Sequence, residues 1–376
     1  MKLVVDRDRE ILRFRPKTFY VIRVLFEFDG KQFYADLVND EHVPGLDSEE
    51  RLVSAETVKT ILTALQDNHD ATVLERKSEL KNRKPPLCFS LSDVQSAASS
   101  AFGYSAEETL EICQSLYEKK LTTYPRTDCN YLPESQYADA PAVLGAIART
   151  LPELSDAVSN ADTSIRTKLW NDEKTTAHHA IIPTMSSGNA SELSYKEKNI
   201  YRLAALRYVA NFYPDFVYNQ TVIAVAVDGL PYTFKASGRT TKSEGWRRVA
   251  SDKSEENDPK SADNGKNVSQ ALPEVENGVK GKSLKAGFVS QTTTPPARFT
   301  EGTLIKAMEN IYKYIEDPEL NKFLKDGDGI GTSATRAGII SELKKRKFLE
   351  VKGKAIVSTE VAAPCWTPYR RSSSHR

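Results

Sequence analysis

Eight consecutive residues, Leu121-Thr122-Thr123-Tyr124-Pro125-Arg126-Thr127-Asp128, hold the residue types needed for chemistry on a phosphodiester. Proline pushes the residue before it out of the helical region, so Tyr124 should stand at the end of a segment with its phenol presented. Two residues on, the Arg126 guanidinium suits a phosphate, which it can grip through two parallel hydrogen bonds. A phenolic oxygen beside a phosphate-binding arginine is the minimum equipment for attacking a phosphodiester and holding it as a phosphotyrosine. The chain has 16 tyrosines, however, and the octapeptide alone also fits an ordinary surface turn. Asp128 could serve either as a salt-bridge partner that holds Arg126 or in a more direct role.

The elements that must position this segment can be read from periodicity. Phe19 to Val38 alternates around Asp29-Gly30, which predicts a hairpin. Ser54 opens a helix with Val58, Ile61, Leu62 and Leu65 on one face, and Ala71 to Leu80 reads as a strand. Ser90 caps a helix that Gly103 stops. Ser105 with Glu108 forms a capping box for the next one, through Leu110, Ile112, Cys113, Leu116 and Tyr117. Tyr124 then falls just beyond a helix carboxyl end. Pro133 to Leu151 and Ser194 to Phe212 read as helical, the latter with Ile200, Leu203, Ala204, Leu206 and Tyr208 inward. Phe216 to Val227, Tyr232 to Ser237 and Ser283 to Thr292 return to strand patterns. Thr300 to Tyr314, Asp317 to Leu324 and Ser333 to Arg346 are helical, the last with Ile339, Ile340 and Leu343 inward. Leu349 to Val357 is strand-like. Helical sequence thus interrupts β-rich sequence.

Composition narrows the class. The 376 residues suggest two or three domains, and 39% hydrophobic with 27% charged residues is ordinary soluble material. No apolar run reaches the roughly 18 residues of a membrane helix, and the amino terminus lacks an apolar signal core. Cys88, Cys113, Cys129 and Cys365 have no zinc-ligand spacing, so reduced thiols are the simplest reading. Net charge is +1, but Lys322 to Lys354 holds nine Lys/Arg against four Asp/Glu, and Arg76 to Lys84 is a second basic patch. Either could neutralise phosphates or be a solvated face.

Five segments together resemble the type IA DNA topoisomerases, the topoisomerase III branch most closely. They are Val4-Val5-Asp6-Arg7-Asp8-Arg9-Glu10-Ile11 with Phe14 and Pro16; Phe89-Ser90-Leu91-Ser92 leading through Leu116-Tyr117-Glu118 to Thr122–Asp128; Ala177-His178-His179-Ala180-Ile181-Ile182-Pro183-Thr184; Thr294-Pro295-Pro296-Ala297-Arg298-Phe299-Thr300-Glu301; and Gly329-Ile330-Gly331-Thr332-Ser333-Ala334-Thr335-Arg336-Ala337. The resemblance runs from about Leu3 to Val361. It implies a mixed α+β, multi-domain fold. A β-rich toroid arch (1–84 and 191–297, with a disordered loop at 251–266) is interrupted by a helical cap domain (85–190) bearing the active tyrosine. A mainly helical DNA-groove segment (298–361) follows, then an atypical disordered tail (362–376).

Carried over residue by residue, the resemblance makes Tyr124 the nucleophile that joins a DNA 5′ phosphate. Arg126 stabilises the scissile phosphate and His178 assists. Gly331, Thr332, Thr335 and Arg336 lie along single-stranded DNA, with Arg298 a weaker candidate in the same groove. A tyrosine phenol, with an ordinary pKa near ~10, needs such help at neutral pH. The covalent link conserves bond energy, so no ATP is required, and no G-x-x-x-x-G-K-[ST] loop occurs.

The family also uses a toprim domain that supplies a lysine, a glutamate and an Asp-x-Asp magnesium site, and that region is not among the segments matched here. Asp6-Arg7-Asp8 belongs to a different motif and is rejected as the metal site. Magnesium is therefore expected for the family with its acidic ligands absent from this chain. The expected partners are single-stranded DNA and a separate toprim-containing polypeptide, with no membrane, in a cytoplasmic, nucleoid-associated setting. The rival reading is a non-catalytic single-stranded DNA-binding fragment of a truncated gene.

Overall fold

The structure is a computed structural model that describes residues 1–66, 69–250, 270–325, 327 and 329–362. The loop expected at 251–266 and the tail expected at 362–376 lie outside the described residues, apart from Ala362. In chain order the main elements are α1 (Lys2–Arg13), β1 (Thr18–Phe28), β2 (Lys31–Leu37), α2 (Ala55–Ala64), β3 (Asp70–Arg83), α3 (Leu91–Phe102), α4 (Ala106–Glu118), α5 (Ala140–Thr150), α6 (Ser155–Ser159), α7 (Tyr195–Val209), β4 (Phe216–Val227), β5 (Thr233–Ser243), β6 (Lys280–Thr292), α8 (Glu301–Glu309), α9 (Pro318–Lys325), α10 (Ser333–Lys345), β7 (Leu349–Lys352) and β8 (Ala355–Ser358). They form two compact units. One is Arg15–Lys84 with Asp215–Pro295; the other is Met1–Phe14, Pro85–Pro214 and the chain from Pro296. Prolines stand at several of the crossings, where they break regular structure.

The first unit is a closed antiparallel barrel in the order β1-β2-β5-β4-β3-β6. Alternation along β1 sends Ile22, Val24, Phe26 and Phe28 inward, where they meet Phe33, Val73, Ile223, Val225 and Phe234. Phe26 is fully buried, its ring centroid 5.5 Å from that of Phe234. Val58, Ile61 and Leu65 of the α2 segment join the same core. Closure leaves no strand of the barrel with an open edge.

The second unit is mainly helical. Ser90 and Ser194 cap α3 and α7 through reciprocal capping boxes with Asp93 and Glu197, and Ser105 caps α4. Helices α3 and α8 approach so closely that a Cβ on Gly302 would lie 2.7 Å from Ser96 Cα. A core of Val4, Phe299, Leu304, Ile305, Met308, Ala337 and Ile340 ties α1, α8 and α10 together.

Several expectations need correction. The resemblance puts residues 1–14 at the start of the arch, yet Lys2–Arg13 is a helix grouped with the helical unit. The reason is local: Val4 and Val5 are buried, Arg7 lies 4.6 Å over the Phe299 ring, and Asp8 accepts hydrogen bonds from Ser358. Leu203 and Leu206 are only half-buried while Tyr201 and Ala205 face inward, and Ile339 is 37% exposed. Leu349 to Val357 is not one strand but a hairpin of β7 and β8.

Candidate active site around Tyr124

The tyrosine segment follows α4 without regular structure. Leu121 N–H bonds back to the Leu116 carbonyl, ending the helix. The chain then runs beside residues 180–184. Thr123 N–H donates to Ile182 O (2.9 Å), Thr123 Oγ1 donates to Ala180 O (2.9 Å) and accepts from Ile182 N–H (3.0 Å), and Thr184 N–H donates to Leu121 O. These bonds bring the two distant motifs together. The Tyr124 and His178 rings lie 4.8 Å apart between centroids, tilted by 41°. Tyr117, the penultimate residue of α4, meets the Tyr124 ring edge-on at 5.6 Å.

Tyr124 is half-buried and His178 exposed, so the phenol sits at a surface rather than in a core. His179 instead points into the protein fabric, its ring nitrogens 2.9 Å from Ala180 O and 3.0 Å from Gln136 Nε2. Arg126 is exposed on the tyrosine segment, between buried Pro125 and Thr127. Among the described residues no ion pair joins it to Asp128, which is also exposed. The far end of the segment is pinned where Leu91 N–H bonds Thr127 O at the start of α3.

A charged cluster missed in the sequence underlies this anchor. Asp93, third residue of the α3 capping box, accepts from Ser90 Oγ (2.7 Å) and Asn130 Nδ2 (2.5 Å) and pairs with Lys306 of α8 (2.6 Å). Lys306 also pairs with Glu309 (2.7 Å), whose carboxylate accepts from Ser92 Oγ at 3.0 Å. Burial pushes the Asp93 carboxyl up, but Lys306, Asn130 and Ser90 outweigh it and the group titrates below its ordinary value. Burial likewise pulls Lys306 down, and the pull of Asp93 and Glu309 leaves it above its ordinary value. The legible signal was modest: a capping-box acid and an i,i+3 Lys306/Glu309 pair.

The expected DNA-groove residues divide. Gly331 adopts φ 68°, and Thr332 and Thr335 form a reciprocal capping box on the exposed start of α10. Gly329 approaches the end of α8 so closely that a Cβ would lie 2.4 Å from Met308 O. Arg336 departs from the expectation of a presented side chain: it is 3% exposed, with Nε donating to Ile330 O at 3.2 Å. It braces the Gly329–Gly331 turn from below. Arg298 pairs with Asp8 and so ties the chain entering α8 to α1.

Residues 1–366 match the family model for DNA topoisomerase. The chain belongs to the DNA topoisomerase family. It is 37% identical over 363 residues to DNA topoisomerase 3 of Vibrio cholerae, covering 95% of this chain and 54% of that relative. The DNA topoisomerase 3 of Salmonella typhimurium is also 37% identical, over 364 residues. That of Bacillus thuringiensis is 35% identical over 362 residues, or 47% of its length. Among solved structures, full-length topoisomerase I from Thermotoga maritima aligns with a TM-score of 0.65 at 26% identity, covering 96% of this chain and 52% of that one. The chain spans about half the length of the curated relatives it matches. The described residues form a mixed α/β fold like that of the Thermotoga maritima topoisomerase structure.

Magnesium, implied by the resemblance, finds no fitting set of ligands among the described residues. Among the described residues no group of three or more His, Cys, Asp or Glu side chains could hold a metal ion. The Asp93 and Glu309 carboxylates are already engaged by Lys306. No helix among the described residues is long and apolar enough to cross a membrane.

Proposed function

We propose that this chain is the strand-cleaving part of a type IA DNA topoisomerase, with Tyr124 as nucleophile. Tyr124 Oη attacks the phosphorus of one DNA strand, the 3′ oxygen leaves, and the 5′ phosphate stays on the tyrosine until the 3′ hydroxyl reverses the attack. Between the two steps another strand passes, and no ATP is consumed. The observation that carries this reading is the Tyr124–His178 ring contact at the half-buried end of a segment pinned by Thr123.

In this reading Arg126 binds the non-bridging phosphate oxygens, where positive charge aimed at developing negative charge is worth up to several kcal/mol in a sheltered site. His178, in van der Waals reach of the phenol ring, orients it and contacts the same phosphate. Gly331, Thr332 and Thr335 offer backbone N–H and hydroxyl groups to single-stranded DNA, with Arg336 holding their turn and Arg298 holding α8 to α1 through Asp8. The barrel serves as the arch, residues 85–190 as the cap and 298–361 as the groove. A toprim-containing polypeptide acts in trans, at the nucleoid in the cytoplasm, and this chain alone does not relax supercoiled DNA.

The test is a denaturing gel of the chain with a labelled single-stranded oligonucleotide, magnesium and the toprim half of a relative. A covalent adduct that Tyr124→Phe abolishes, with binding retained, supports the proposal. Binding that never yields an adduct leaves the alternative, a non-catalytic single-stranded DNA-binding fragment. Relaxation of plasmid by the purified chain alone contradicts the division of labour.

A further inference from the structure

The tyrosine site leaves one of its own histidines without a role. His178 stands exposed against the Tyr124 ring, while His179, next in the chain, is half-buried with both ring nitrogens engaged. A backbone carbonyl only accepts, so the contact of His179 Nδ1 with Ala180 O at 2.9 Å requires the proton on Nδ1. An amide nitrogen only donates, so the contact with Gln136 Nε2 at 3.0 Å requires a bare Nε2. The two bonds agree on one species, the neutral ring protonated at Nδ1.

The surroundings are built for that species. Gln136 Oε1 is buried and has no hydrogen-bond partner among the described residues. Turning the amide over would set two acceptors, Oε1 and His179 Nε2, against each other, so the amide holds the ring while its own oxygen stays bare. Gln136 sits on the turn Glu134–Tyr137, where its N–H donates to Pro133 O at 3.1 Å and the Glu134 N–H donates to Asp172 Oδ1 at 2.8 Å. The far end of the imidazole is therefore anchored outside the histidine motif.

The near end reaches the tyrosine. Ala180 is fully buried, its N–H donates to Tyr131 O at 2.9 Å, and its carbonyl takes a second hydrogen bond from Thr123 Oγ1 at 2.9 Å. His179 and Thr123 thus use both lone pairs of one oxygen. Thr123 directly precedes Tyr124, and His179 directly follows His178. The bond that stops this carbonyl from turning also sets the two backbones on which the Tyr124 and His178 rings face each other. We infer that His179 is a positioning residue, which holds the Tyr124 ring against His178 through the Ala180 carbonyl it shares with Thr123. Its bearing on strand cleavage rests on the reading of Tyr124 as nucleophile; the placement of the rings does not.

The experiment uses the whole chain with nitrogen-labelled histidine, followed by NMR, and then the same chain with a labelled single-stranded oligonucleotide, magnesium and the toprim half of a relative. Nitrogen shifts of the parent should show His179 protonated at Nδ1 and bare at Nε2, and a nuclear Overhauser contact should join the Tyr124 and His178 rings. His179→Leu should lose that contact and form the covalent adduct roughly ten- to a hundredfold more slowly at saturating DNA, with oligonucleotide affinity kept within about twofold. His179→Asn, whose Nδ2 can stand where Nδ1 donates, should restore both ring contact and rate. His179→Gln, which reaches only the far position, should restore neither, whereas a merely space-filling histidine would be replaced equally well by either amide. A His179 proton on Nε2 in the parent, or a ring contact and adduct rate unchanged in His179→Leu, would overturn the inference, and the first of these needs no variant to fold. Absence of any adduct from the parent would count against the cleavage reading instead, with the tautomer and the ring contact still deciding this one.

Discussion

The barrel and the tyrosine site are held by different physics. The barrel is fastened by alternation: each inward position of β1 finds an apolar partner, and closure satisfies every strand edge. The tyrosine segment has no regular structure, and its place is set by hydrogen bonds from Thr123 to residues nearly sixty positions away and by the Asp93–Lys306 cluster. Hydrophobic burial is non-directional and tolerant, whereas the polar contacts fix geometry while adding little net stability. A nucleophile that must meet a phosphate within tenths of an ångström belongs in the second kind of environment.

The largest effect is expected in the barrel. Phe26→Ala removes a fully buried ring among Phe28, Phe33 and Phe234 and should cost about 3–5 kcal/mol in denaturant unfolding. The Tyr124–His178 contact should persist in whatever fraction stays folded. Lys306→Met comes next, because it leaves Asp93 and Glu309 without their shared cation. A loss of about 2–4 kcal/mol is expected, reduced from that of a fully buried pair by partial exposure, and a melt unchanged at neutral pH would show that the cluster is idle.

Glu197 tests the polar side of the contrast through pH. Burial pushes its carboxyl up, but Lys119, Ser115 and the α7 capping contacts with Ser194 bring it down to about 2. A depressed folded value stabilises above the unfolded value and is lost as pH falls through the folded one. Glu197→Gln should therefore cost on the order of 2 kcal/mol at pH 7. The gap from the parent should close between about pH 5 and pH 2; a gap that is flat with pH would refute the assignment. The smallest stability effect, about 1 kcal/mol, is expected from Thr123→Val. Yet that change should shift the His178 ring protons in NMR spectra, since the Tyr124 ring no longer sits over them.

Much of the barrel was legible because period-two alternation and Asp29-Gly30 report directly on a half-buried sheet. Its closure was not, since β1 pairs with β6 across more than 250 residues and no local signal marks that partner. Helix starts at Ser54, Ser90, Ser105 and Thr300 were legible because capping is local chemistry. The α1 helix escaped notice: seven of its twelve residues are charged, and the burial of Val4 is decided by residues near 300 and 340. At the site, the residue types of Tyr124 and His178 were readable while the link between them, Thr123, lay inside the motif without an assigned task. Arg336 shows the limit of residue type, which says nothing of whether an arginine faces solvent or a carbonyl.

Mass spectrometry of the peptide containing Tyr124, after the chain has been incubated with single-stranded DNA and a toprim-bearing partner and then denatured, tests the central claim most directly. The account expects a nucleotide joined through its 5′ phosphate to Tyr124 and lost in Tyr124→Phe. An adduct on any other residue, or one that survives that substitution, would contradict it.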